Sequence, residues 1–361
     1  MSGPSHLDDV PLSRGEIAAV LADLTDSRHL LLAVSGGPDS LALLIAVAGW
    51  LHEGGPRPRV SVATVDHRLR AASAAEAEAV ARVANDFGLA HATLCWDGEK
   101  PARGIPEAAR AARYRLLADH AAAIGADCLV TAHHRDDQAE TVLMRLAAGS
   151  GIAGLAAMRP RVAVAPGLAL ARPFLPFPKA RLVATVAAAG LEAADDPTNR
   201  DPAYMRARLR SPAARSAAAT LGLTPERLVR LAARAARVDE ALAACAAAES
   251  SRLVRPLGNG NGSVEVSAEI FDLPEELMLR VLERAVVEAA GGAAGPTVPL
   301  RLERLEALVT ALRQTREEGR TMRATLAGAL VALDVAGSLR IGPEPPRRRG
   351  RRAPEKPPTS G

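Results

Sequence analysis

The sequence predicts a doubly wound α/β domain on a mostly parallel sheet, followed by a second, mainly helical α(+β) domain. Three observations predict it. Short apolar runs alternate with longer helical segments as far as about Gly190. Beyond that point the rhythm gives way to long Ala-rich amphipathic stretches. The first apolar run, HLLLAV, also stops at Ser-Gly-Gly-Pro-Asp-Ser before another apolar run begins. Strands that alternate with helices build a parallel sheet covered on both faces. Such a sheet takes its ligands at the carboxyl ends of its strands.

The elements follow in order. Ser13 to Asp26 reads as a helix, with Ser13 and Glu16 spaced for a capping box. HLLLAV is a strand and feeds a helix from about Pro38. RVSVATVDH is a strand followed by the helix SAAEAEAVARVANDFG, and HATLCW is a third strand. Pro106 opens the helix EAARAARYRLLADHAAAIG; DCLVTAHH is a fourth strand, and DDQAETVLMRLAAG returns to helix. DDPTNRDPAY is a turn-rich loop and MRARLRSPAARS a strongly basic segment. Amphipathic helices then dominate, interrupted by LGNGNGS, a flexible break, before a short β-like end, TLAGALVALDVAGSLRIG. The expected domains are residues 1–215 and 216–342, with a Pro- and Arg-rich tail at 343–361 read as disordered.

Composition removes several classes. The absence of a long uncharged apolar run predicts no membrane span. The start, MSGPSHLDDV, lacks the basic and apolar regions of a signal peptide, so a cytoplasmic protein is expected. Cys95, Cys128 and Cys245 are solitary, which argues against a disulfide scaffold or a cysteine-ligated metal. The net charge is only +4, but the cations are almost all arginine, with lysine at 100, 179 and 356 alone. Arginine suits bidentate phosphate contacts, so nucleic acid is an expected partner, against a plain coding bias toward Ala and Arg. Aromatics at 2% are too sparse for a base-stacking platform.

Two glycines between a strand and a helix let the backbone turn with positive φ and approach a ligand closely. The helix that follows aims unpaired N–H groups and a positive dipole end at the same place. Ser35, Gly36, Gly37, Pro38, Asp39 and Ser40 are therefore a candidate phosphate cradle. A Walker A loop is excluded, since no lysine follows the glycines. The competing reading is a tight turn with Ser35 and Asp39 as caps.

HHRDDQAET is the second constellation. His133, Asp136, Asp137 and Glu140 share one helical face by their spacing. Like charges on one face cost about 0.2–0.5 kcal/mol per pair, so a cation is expected there. The alternatives are a solvated acidic first turn and a zinc site, the latter short of soft ligands. Oxygen donors suit Mg²⁺ arriving with ATP, and an acidic pocket suits an amine.

SGGxDS after a strand resembles the pyrophosphatase-loop (PP-loop) ATPases, whose adenine-nucleotide α-hydrolase-like fold splits ATP between its α and β phosphates. HHxxDDxxET together with GSGxxGL, Gly149 to Leu155, looks like the tRNA(Ile)-lysidine synthetases. VDHRLR (Val65 to Arg70), EAARAARY (Glu107 to Tyr114) and ADDPTNRDPAYMRARLR (Ala194 to Arg210) resemble further segments of that family. Ala207 stands where the family often has Asn, and SPAARS replaces its usual Leu-Pro.

The resemblance implies two steps on the wobble cytidine of a CAU-anticodon isoleucine tRNA: adenylation at the C2 oxygen, then attack by free L-lysine. It implies that Ser35, Gly36, Gly37, Pro38 and Ser40 hold pyrophosphate, with Asp39 and Asp136 as magnesium contacts. It makes Arg110 or Arg113 the cation that neutralises phosphate charge, places Asp137 and Glu140 on the lysine ammonium with Asp137 as base, and counts His133 among the catalytic residues. Asn199, Arg206, Arg208 and Arg210 would grip tRNA. A homodimer is allowed for. The rivals are a PP-loop tRNA thiolase, which needs cysteines this chain does not pair, and a non-catalytic adenine-nucleotide-binding module, which has no use for the acidic cluster.

Overall fold

The computed structural model describes residues 9–54, 57–69, 73–98, 100–101, 104–194, 205–258, 262–291 and 300–345. They form two compact units, Met1–Ala236 and Arg237–Gly361. The division falls later than the sequence-based break after residue 215, inside one long helix, α10 (Pro225–Leu253). Most of the tail, with Asn199 and the other residues of 195–204, lies outside the described residues.

In the first unit the apolar run HLLLA becomes β1 (His29–Ala33), buried at every position. A strand apolar on both faces belongs in the middle of a parallel sheet. β2 (Arg59–Asp66) and β4 (Cys128–Val130) flank β1, both parallel to it. β3 (Ala90–Cys95) lies outside β2 and β6 (Leu168–Ala171) outside β4, again parallel. β5 (Arg161–Ala165) closes that edge antiparallel to β6, with a register irregularity between Ala163 and Ala165. The order is β3-β2-β1-β4-β6-β5.

Alternation along β1 accounts for the double winding. Leu30 and Leu32 pack into a core with α1 (Arg14–Leu21), α2 (Pro38–Leu51) and α7 (Lys179–Ala188), including Leu21, Leu43, Leu44, Trp50 and Leu182. Leu31 and Ala33 point the other way, onto Leu117 and Ala121 of α4 (Ile105–Ile124). α3 (Ser73–Asp86) covers β2 and β3 with Ala77, Val80 and Ala84. The Ser13–Glu16 capping box is formed at α1.

Two local expectations change. The fourth strand is shorter than DCLVTAHH: pairing stops at Val130, and after Thr131 N–H donates to the Ala171 carbonyl the chain leaves the sheet. The β5–β6 hairpin, turned by Pro166 and Gly167 (φ +73°), adds two strands that the coarse reading passed over.

The remaining short helices of this unit are α6 (Ile152–Leu155), α8 (Met205–Arg210) and α9 (Pro212–Thr220). α5 (Arg135–Ala147) packs Ala139 and Val142 on Leu228 and Ala232 of α10.

The second unit holds a whole sheet rather than a short β-like end. β7 (Val254–Pro256), β8 (Val264–Val266), β9 (Met322–Leu326), β10 (Ala329–Leu333) and β11 (Leu339–Pro343) run antiparallel in the order β7-β8-β11-β10-β9. LGNGNGS, read as a flexible break, joins the paired strands β7 and β8. One face of the sheet buries Val264, Val266, Val331, Leu339 and Ile341 with α11 (Glu275–Gly291) and α12 (Leu302–Glu317). Among the described residues no helix is long and apolar enough to cross a membrane.

Candidate active site at the strand-order switch

After β1 the chain passes to β2 on one side, whereas β4 lies on the other. The carboxyl ends of β1 and β4 therefore bound the crevice where such sheets bind ligands. SGGPDS follows the first strand and HHRDDQAET follows the second, so topology brings the two motifs to one place.

The glycine loop is built to stay open. Gly36 has φ +87°, and a Cβ there would meet Val80 Cγ2 at 3.3 Å. Gly37 precedes α2 in extended conformation and offers no side chain to cap the helix. Ser40 shapes the loop from inside: its Oγ accepts from Ser35 N–H at 3.1 Å and donates to the Gly37 carbonyl at 3.0 Å. Asp39, in the first turn of α2, has a buried Oδ1 with no hydrogen-bond partner among the described residues.

α5 is finished in the opposite way. His134, not a Ser or Asp, is its N-cap, with Nδ1 3.4 Å from Asp137 N–H while Asp137 Oδ2 accepts from His134 N–H at 3.2 Å. The ring is buried among carboxylates, with Nε2 3.5 Å from Asp39 and 3.4 Å from Asp137, and Nδ1 3.5 Å from Asp136. Burial alone would push its pKa down, but Asp136, Asp39 and Asp137 outweigh that and raise it to about 9. Nδ1 cannot carry that proton and accept from Asp137 N–H at once. The long cap contact is the weaker of the two, so the imidazolium prevails. Nε2 has no well-directed hydrogen bond to either carboxylate.

α7 locks onto this corner. Arg135 N–H donates to the Phe177 carbonyl at 2.8 Å, and Lys179 N–H donates to Asp136 Oδ2 at 2.8 Å. Lys179 Nζ reaches within 3.7 Å of Asp39 Oδ2. Burial disfavours the Asp136 carboxylate, yet His134, the Lys179 N–H and Arg135 hold its pKa at about 2.

His133 takes another role. Its Nδ1 lies 2.9 Å from Thr131 Oγ1. Burial and then the charges of Arg113, Arg172, Arg110 and Arg206 press its pKa down to about 3, so the ring is neutral. Desolvation also lowers the pKa of Arg113 and of Arg172. Arg110 lies over the Tyr114 ring at 5.1 Å.

The structure thus brings Ser35 to Ser40, His133, Asp136, Asp137 and Glu140 into one crevice, with Arg110, Arg113 and Arg206 close enough to act on His133. Arg210 also comes there, turned onto the acids: Nε to Glu140 at 2.6 Å and Nη2 to Asp137 at 3.0 Å. Arg208 is exposed and contacts Met205.

Sequence reasoning missed His134, Lys179 and Arg172. Histidine is not among the residues preferred at a helix N-cap, so the second His of HH carries no capping signal in the letters. Lys179 carried a signal, being one of only three lysines and following Pro178 at a helix start.

A family model described as a PP-loop domain matches residues 12–215. The chain is 48% identical to a tRNA(Ile)-lysidine synthase of Bradyrhizobium sp. strain BTAi1, over 97% of this chain and 99% of the relative. It is 52% identical to another of that name from Methylobacterium nodulans, over 89% and 92%. Among solved structures, the U34-tRNA thiolase NcsA from Methanococcus maripaludis, with its [4Fe-4S] cluster, is similar in fold. Its TM-score is 0.52 at 14% identity, over 61% of this chain and 77% of that one.

Proposed function

This chain belongs to the tRNA(Ile)-lysidine synthase family, with a PP-loop ATP-binding domain, and from that premise we propose that it is a ligase converting the wobble cytidine of CAU-anticodon isoleucine tRNA to lysidine. Its substrates would be the tRNA, ATP and free L-lysine, in the cytoplasm, with AMP and pyrophosphate as products. One observation carries the reading: an uncapped helix start that attracts anions faces an acid-lined helix start that attracts cations, at one sheet crevice.

In the first step the cytidine O2 attacks the α-phosphorus, and the bond to the β-phosphate oxygen breaks with its electron pair leaving on pyrophosphate. The free N–H groups at the start of α2 and the hydroxyl of Ser35 receive that charge. Lys179, supplied from α7, provides the cation that a Walker loop would carry after its glycines. Arg110 and Arg113 face charge on the phosphates.

The donor set fits magnesium brought in with ATP. Asp39 has an orphaned buried oxygen, and Asp136 is held ionised. Mg²⁺ commonly binds through one or two carboxylates plus phosphates. Among the described residues no group of three or more acids, histidines or cysteines could hold a metal by itself, which suits an ion that comes with its nucleotide. When bound, such an ion supplies charge neutralisation on the polyphosphate.

In the second step the lysine ε-amine lone pair forms a bond to C2, and the C2–O bond breaks as AMP leaves with its electrons. Asp137 takes the proton the nitrogen sheds. Arg206 and Arg208 of α8 contact tRNA phosphates, with Asn199 before them.

Thiolation is the weaker reading. The three cysteines are all free, and Cys128 is buried in β4 with its thiol pushed up by burial. The deciding experiment is ATP-dependent transfer of labelled lysine to tRNA by purified protein. Label recovered in one modified nucleoside after deacylation is expected. Sulfur incorporation, or ATP binding without transfer, would overturn the reading.

A further inference from the structure

Two acids at a lysine site pose a chemical conflict. A free lysine amine has a pKa of about 10.4, so on the order of one molecule in two thousand is neutral at pH 7. Two carboxylates bind its ammonium form well, but they raise that pKa and withhold the lone pair needed for attack. Arg210 bears on this conflict directly. Its Nε lies 2.6 Å from Glu140 Oε1, and its Nη2 lies 3.0 Å from both Glu140 Oε2 and Asp137 Oδ1. The two acid side chains are each only 12% exposed, so this guanidinium is a principal partner of the pair rather than a solvent-screened neighbour.

We infer that Arg210 is a positioning residue for the lysine step: it fixes Asp137 and Glu140 and cancels one of their two negative charges. The inference rests on the lysine-transfer reading above. Carboxylate oxygens keep acceptor capacity beyond one bond each, so the pair still receives an amine. That amine meets a net charge of one rather than two, is held less firmly as ammonium, and gives its proton to Asp137 as nitrogen bonds to C2 and AMP departs. Charged groups beside the pair include His134 and Asp136 at the start of α5, Asp39 from α2, and Lys179 from α7, which pairs with Asp39, while Arg110, Arg113 and Arg206 bear on His133. None of them touches Glu140, whereas Arg210 touches both acids.

The test is lysine-dependent kinetics at saturating ATP and tRNA for the wild-type chain, Arg210→Gln and Arg210→Lys. Removing the charge should tighten ammonium binding and slow attack together. In Arg210→Gln, KM for lysine and kcat should both fall by about tenfold at neutral pH, leaving kcat/KM nearly unchanged, and kcat should recover as pH rises. Arg210→Lys keeps the charge and should bring both KM for lysine and kcat back toward their wild-type values. A raised KM for lysine, or a raised KM for tRNA with lysine kinetics unchanged, overturns the inference. If the wild-type chain transfers no lysine, the functional reading itself has failed. A lysine-independent burst of pyrophosphate shows that a variant is folded. Should Arg210→Gln lack it, Glu140→Gln decides: with Arg210 intact, the pH midpoint of kcat must move down, and an unchanged or higher midpoint overturns the inference.

Discussion

α2 and α5 begin side by side at the same sheet crevice, yet they are finished in opposite ways. At α2 the residue before the helix is a glycine without a capping side chain, so backbone donors are left for a ligand. At α5 the Asp137 carboxylate accepts from the His134 N–H, the His134 ring packs over the helix start, and acids crowd the first turn. Neighbouring helix starts share the same backbone dipole, so the side chains decide which sign of charge each one attracts. A reaction needing a phosphate leaving group beside an incoming amine uses one of each.

The largest effect expected from breaking this contrast is at the acidic end. Asp137→Asn should lower lysine transfer by about 10²–10⁴, the range for loss of a general base, while a lysine-independent pyrophosphate burst survives. If the burst vanished as well, the two ends would not be separable in function.

Next comes the open end. Gly36→Ala places a methyl group in a left-handed conformation against Val80, so about 1–2 kcal/mol of stability should be lost. Pyrophosphate release should drop at least tenfold, read from thermal melts and single-turnover release. Lys179→Met should raise KM for ATP by about tenfold while KM for lysine stays put, which would sharpen the assignment of Lys179 to the phosphate side.

The effect smallest at neutral pH concerns His133. Its pKa is about 3 in the folded chain against 6.5 as a free group, so the unfolded state takes up a proton that the folded state refuses. Stability is therefore lost as pH falls from 6.5 toward 3. His133→Asn should flatten that slope in melts across this window, and an unaltered slope would return the acid sensitivity to other groups.

Much of this was legible in the letters, because each readable piece obeys a local rule. HLLLA is apolar on both faces and lies in mid-sheet; SGG must turn with positive φ; and Asp136, Asp137 and Glu140 are spaced for one side of a helix. What escaped depends on partners far away in sequence. That His134 would be charged required knowing that Asp39, 95 residues earlier, faces it. That Arg210 turns inward required knowing that α8 returns to α5 across a separation of 70 residues. RVAVAPGLAL carries a usable signal in its Pro-Gly turn between alternating runs, although it lies beyond both motifs and outside the regular alternation of strand and helix.

That hairpin has a consequence for life at high concentration. β5 is a sheet edge with unpaired backbone groups along an Ala- and Val-rich segment, the kind of template on which another chain can add a strand. The slip in register between Ala163 and Ala165 disrupts the regular spacing that a newcomer would have to match. Arg161, at the start of the strand, is tied back to the Asp23 carbonyl and adds a charge there. An edge so interrupted is a poorer template for strand addition, and straightening it should make self-association easier without touching a catalytic group.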